Sequence, residues 1–190
     1  MSGELPRLFG IIGVAYRGNR TLYVKRSMKM RNYPGVWSLP SIQFDPSSLA
    51  DPANIGAVQR YVDQISAERF NGTPLTAKEF LTFGDSDENP IGMHVYLYLY
   101  WIELSGEPKL NPDYYTDVKW MTAAEYERAS FGQPCGLCTR LWSDYAWLKG
   151  ITDRPFIAHD ASHEGISSFG RLVSFARTLS SRILGRAHAT

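Results

Sequence analysis

Residues 21–40, TLYVKRSMKMRNYPGVWSLP, join a β-branched and aromatic run to a basic segment and a loop punctuated by proline. Residues 21–25 read as a strand, because Thr, Tyr and Val suit a pleated, half-buried surface. Pro34-Gly35 and Pro40 exclude a helix beyond it and leave an ordered loop over 27–40. Upstream, residues 8–16 (LFGIIGVAY) form another apolar strand, and Arg17-Gly18-Asn19-Arg20 supplies turn chemistry, so 8–25 is predicted to be a hairpin. Four cations, Lys25, Arg26, Lys29 and Arg31, fall within seven residues. They suit a phosphate-bearing ligand, and equally a strand edge protected by charge. Tyr33 and Trp37 are candidates to stack on that ligand, against the commoner fate of such aromatics in a core.

Further along, Asn54 is a fitting N-cap for a helix to about Phe70, with Ile55, Val58, Val62 and Ile65 at helical spacing and Asn71-Gly72 as its stop. Residues 80–83 and 93–104 are predicted as an antiparallel strand pair around an acidic loop over 84–92. Residues 118–121 form another strand, Thr122 caps a helix starting near Ala123, and a further helix covers 137–149. Residues 166–184 place Ile166, Phe169, Leu172, Val173, Ala176, Leu179 and Ile183 on one helical face, with Arg171, Arg177, Arg182 and Arg186 among the polar positions. The organisation expected is a domain over 1–150, a linker over 151–165 and an amphipathic helical extension over 166–190. That extension offers a surface for a homodimer or another partner.

The chain has 190 residues, 44% of them hydrophobic, enough for one domain with a sizeable core. Twenty Lys and Arg against 19 Asp and Glu give a net charge of +1, which argues against nucleic-acid binding by bulk charge. The longest apolar stretch, 95–102, is too short to cross a membrane, and residues 1–7 lack the apolar segment of an export signal. Two cysteines make no disulfide framework, so a cytoplasmic location is expected.

Residues 21–27 with Tyr33-Pro34-Gly35-Val36-Trp37-Ser38-Leu39-Pro40 resemble the strand and loop that lead into the signature box of the Nudix superfamily. Residues 96–104, Ser105-Gly106-Glu107 and Val118-Lys119-Trp120-Met121 through Glu125 resemble the family's later strand, turn and closing motif. The resemblance covers roughly residues 8–130 and implies an α/β/α sandwich around a mixed sheet, with Mg²⁺- or Mn²⁺-dependent hydrolysis of a diphosphate. The box itself is degenerate. Ser41 and Ile42 stand at its glycines, Asp45-Pro46 at a common acidic-Pro pair and Ser48 at the loop glutamate. Ala57 and Arg60 match the helix, whereas Tyr61, Gln64 and Ile65 occupy the glutamate positions and Ala67 the closing glycine. Mg²⁺ is held by hard carboxylate oxygens, which these side chains do not supply.

The leading expectation is therefore a divergent Nudix-fold protein that binds a nucleotide or another diphosphate-bearing ligand through Lys25, Arg26, Lys29, Arg31, Tyr33, Trp37 and Arg60, with hydrolysis lost or reduced. Its rival is an active hydrolase in which Asp45, Asp63, Glu68, Asp85 and Asp87 substitute for the missing acids, Asp45 and Asp63 as metal ligands. Residues 25–37 are also similar to Nudix-fold isopentenyl diphosphate isomerases, but that family uses a cysteine and none precedes Cys135. A non-catalytic scaffold presenting 166–190 is the remaining alternative. Separately, Cys135-x-x-Cys138 and His159-x-x-x-His163 have the ligand types and local spacings of a zinc site, although the interval between the pairs is long for a finger.

Overall fold

A strand that is apolar at nearly every position is built to be buried on both faces. In the computed structural model, which describes residues 5–87 and 92–157, that strand is β1 (Arg7–Val14), inside a mixed four-stranded sheet. It runs antiparallel to β5 (Ser41–Gln43) on one side and parallel to β7 (His94–Leu104) on the other. The outer strand, β6 (Leu75–Ser86), pairs antiparallel with β7, as the sequence suggests.

The predicted hairpin over 8–25 is only partly formed. β1 ends at Val14, and the chain passes through Ala15 into a second sheet, where β2 (Tyr16–Arg17) meets β3 (Arg20–Arg26) across the expected turn. Burial agrees with the split, because residues 11–14 are apolar or glycine on both faces and are buried in the first sheet, where all of them pair with β7. The second sheet centres on β3. β8 (Tyr115–Met121) lies along one edge, while β2 and β4 (Trp37–Ser38) share the other. The loop predicted over 27–40 thus contains a short strand.

α1 (Ile55–Arg69) begins where its cap residue predicts, with the Asn54 side chain accepting the Ala57 N–H at 3.1 Å. It ends before Asn71 and Gly72, both at positive φ. Val58, Val62 and Ile65 are fully buried with Ile11, Tyr100 and Ile102. β6 begins at Leu75 rather than at residue 80 and continues through the glycine expected to open the acidic loop. Register shifts between Ala77 and Glu79 and between Phe80 and Thr82 break the alternation that would reveal the strand.

Phe83 and Gly84 face opposite sides of β6. The Phe83 ring meets Tyr98 on the α1 side, and Gly84 lies under Leu141 of α3 (Leu137–Leu148). A Cβ at Gly84 would fall 2.4 Å from Leu141 Cδ2, so the missing side chain is what lets α3 approach the sheet. The result is the α/β/α sandwich with a mixed sheet expected from the sequence. α2 (Ala123–Ala129) starts at a full capping box, in which Thr122 accepts the Glu125 N–H and the Glu125 carboxylate accepts the Thr122 N–H. The Thr122 N–H, helped by Arg20, holds the Glu125 carboxyl below its usual range. This contribution to stability is present above the ordinary carboxylate pKa and is lost as pH falls through the depressed one. Thr122→Ala should cost about 1 kcal/mol, seen as a lower urea midpoint with an unchanged slope.

Among the described residues no helix is long and apolar enough to cross a membrane. The helix expected over 166–184, the remainder of the extension to 190, and His159 and His163 lie outside the described residues.

Candidate functional site

Two of the three α1 positions at which the box resemblance calls for carboxylates are turned into the core. Ile65 is 0% exposed among Val58, Val62 and Ile11. Tyr61 is 8% exposed, and its ring packs edge-on against Phe44 at 5.3 Å. Its hydroxyl bonds Ser48 Oγ and accepts from Arg60 at 2.7 Å. Arg60 also donates to the Ser48 carbonyl and lies 4.6 Å over the Tyr61 ring. The loop before α1 is thereby clasped to the helix at the place where the box glutamates would project. Gln64, the third position, is exposed and donates to Glu68 at 2.7 Å. A buried phenol, an alkyl chain and an amide do not fit Mg²⁺ or Mn²⁺, which need several hard, charged oxygens.

The alternative acids have other partners. Asp45 caps the 3-10 turn Pro46–Ser48, and the Ser47 N–H lowers its pKa. Asp63 accepts from Gln59 at 2.7 Å, and Glu68 bonds Gln64 and pairs with Arg69 at 3.4 Å. Asp85 lies at the far end of β6, 2.8 Å from His94 Nε2, and Asp87 is exposed just beyond that strand. Among the described residues no three carboxylate, histidine or thiol groups gather as a metal site.

The basic stretch is divided in its commitments. Arg26 Nε donates to the Asn32 carbonyl at 2.9 Å, and Lys29 pairs with Asp113 at 2.7 Å. Among the described residues Lys25 and Arg31 carry no ion pair, and Arg31 is exposed. Tyr33 is half-buried at φ 50°, with burial pushing its phenol upward and Arg140 and Arg26 opposing. Trp37 is 4% exposed, with Lys119 Nζ 5.3 Å over its ring, so it is part of the packed interior. One cation is not singled out by the sequence. Arg69, at the end of α1, donates to the Ser41 carbonyl and lies 3.5 Å over the Tyr114 ring. Ser41 N–H in turn donates to the Tyr115 hydroxyl at 3.1 Å. The glycine positions of the box are thus braced from α1 and β8.

Cys135 and Cys138 flank the start of α3. Cys138 is buried, its sulfur 3.4 Å from Ser38 Oγ on β4, and Cys135 is half-buried beside Tyr126 and Arg140.

No protein-family model and no curated protein matches this sequence. Solved structures do. A MutT NUDIX hydrolase from Burkholderia pseudomallei is 24% identical with a TM-score of 0.52, the match covering 71% of this chain and 94% of that one. A NUDIX hydrolase from Nitrosomonas europaea is 11% identical with a TM-score of 0.57, covering 86% and 98%. A MutT protein from Methanosarcina mazei Go1 is 15% identical with a TM-score of 0.53, covering 67% and 85%. At these identities the likeness is one of architecture, and it agrees with the mixed sheet, the helix after the proline loop and the flanking motifs: the chain has the fold of the Nudix superfamily.

Proposed function

We propose that this protein binds a diphosphate-bearing small molecule, a nucleotide or a related compound, without the metal-dependent hydrolysis of its fold relatives. The observation that carries the reading is the inward packing of Tyr61 and Ile65 at positions where the box resemblance calls for carboxylates. A ligand phosphate needs opposite charge, and Lys25 and Arg31 are cations with no ion pair among the described residues.

The test is a hydrolysis panel with Mg²⁺ or Mn²⁺ over nucleoside diphosphate derivatives, dinucleoside polyphosphates and prenyl diphosphates, with thermal shift in parallel. At least one compound should raise the melting temperature in proportion to its concentration over its Kd, without turnover. Lys25→Ala with Arg31→Ala should weaken that ligand about tenfold or more, the loss of one to two charge-assisted contacts. Turnover abolished by Asp45→Ala or Asp63→Ala would overturn the loss of hydrolysis and show the carboxylates to have moved. No stabilisation by any compound would leave the scaffold reading in its place.

A further inference from the structure

The Cys-x-x-Cys pair is not among the proposed ligand residues, although it lies near Tyr33. It stands at the start of α3, with Cys135 just before the N-cap Gly136 and Cys138 in the first turn. Only Gly136 and Leu137 separate the two residues, and a Cβ at Gly136 would sit 3.8 Å from the Cys138 sulfur. The Cys138 sulfur therefore lies over the glycine, where there is no intervening side chain, and near enough to Cys135 for the two thiols to interact electrostatically. The surroundings differ between the two thiols. Cys135 is half-buried with Arg140 and Tyr126 as side-chain partners, whereas Cys138 is 8% exposed against Ser38. One thiol is reachable and the other waits behind it, the division of labour of an attacking and a resolving cysteine.

We propose that Cys135 and Cys138 form a reversible intramolecular disulfide by exchange with a small-molecule disulfide of the glutathione type. The Cys135 thiol loses its proton and attacks one sulfur of the reagent, forming a mixed disulfide and releasing one thiolate. The deprotonated Cys138 sulfur then attacks the Cys135 sulfur, closes the bridge and releases the second thiolate. The protein gives up two electrons and two protons, and the reagent becomes two thiols. Closure draws the Cys138 sulfur off Ser38, so it acts on β4 and the loop beside it. Burial pushes the Cys135 thiol up to about 11. The pair is accordingly slow to oxidise near neutrality, and its rate rises about tenfold per pH unit below that value. This inference does not depend on diphosphate binding.

The chain has two cysteines, which makes the products simple to read. The reduced full-length protein is incubated with glutathione disulfide at pH values between 7 and 9, then unfolded, alkylated and weighed. The wild type should lose about 2 Da and both alkylation sites while retaining no glutathione. Cys138→Ser should stop at one glutathione on Cys135, and Cys135→Ser should react at least about tenfold more slowly. Peptide mapping of the wild type for a 135–138 crosslink decides the matter even where a variant does not fold. Two retained thiols, glutathione on both cysteines, or disulfide-linked dimers would each overturn the proposal.

Discussion

Ile65→Glu, the substitution that puts an acid where the box resemblance calls for one, should severely destabilise the protein at neutral pH. Ile65 is 0% exposed and surrounded by Val58, Val62, Ile11 and Tyr100. A carboxylate there loses its hydration with no cation or donor to replace it, and the alkyl packing is lost as well. The penalty is on the order of 4 kcal/mol, a large part of the roughly 5–15 kcal/mol that holds a domain folded. Its sign with pH follows from linkage. Burial raises the folded-state pKa of the new acid above its unfolded value near 4.3, so the charged form is favoured by the unfolded chain. The difference in melting temperature from wild type should therefore widen from pH 4 to pH 8. Millimolar Mg²⁺ should recover none of it. Gln64→Glu is the control, because Gln64 is exposed and loses only its bond to Glu68 and gains a like charge four residues away, a change of about 0.5 kcal/mol. A stable Ile65→Glu protein that Mg²⁺ stabilises further would show that α1 can rotate its box face outward, and the reading of a binding protein would fall with it.

The same residue marks how far sequence alone reaches. The spacing of Ile55, Val58, Val62 and Ile65 announces a buried helical face, and Asn54 and Asn71-Gly72 announce its ends, because period and caps are local properties. The partner of β1 is not local. Residues 8–16 read as a strand beside 21–25, yet their neighbours are strands about 30 and 87 residues away, and pairing at that distance leaves no mark in a short window. β6 is hidden for a different reason, since two irregularities disrupt the alternation by which a strand is recognised. In the site, the absence of acids at 61, 64 and 65 is legible from the resemblance. That Tyr61 uses its hydroxyl to hold Ser48 is not, nor is the approach of Arg140 to Cys135. The first depends on how the loop over 46–54 folds back, and the second on α3 settling over Gly84.

Trp142→Ala should cost about 5 kcal/mol, of which the cavity supplies about 3–5 and the lost hydrogen bond the remainder. Trp142 is 1% exposed, its ring lies 5.4 Å from Tyr16, and its indole N–H donates to Thr21 Oγ1 at 3.0 Å. The Tyr23 hydroxyl, also buried, lies beside both polar groups. The side chain thus ties α3 to β2 and β3 of the second sheet, while Leu141 of the same helix packs over Gly84 of the first. Trp142→Phe separates the two contributions. It keeps most of the apolar volume, removes the donor, and should cost about 1–2 kcal/mol. Urea unfolding followed by circular dichroism gives the total, and an unchanged slope would show that the unfolded state is the same. The rate at which Cys138 is alkylated in the native protein adds what equilibrium unfolding cannot, because that thiol is carried by α3 and buried against Ser38. If α3 docks as part of one cooperative unit, Trp142→Ala raises alkylation and lowers stability by the same free energy. If α3 opens alone, alkylation rises while the urea midpoint scarcely moves, and the helix bearing the dithiol is a separately opening element. A cost below about 2 kcal/mol by both measures would mean that Trp142 does not anchor α3.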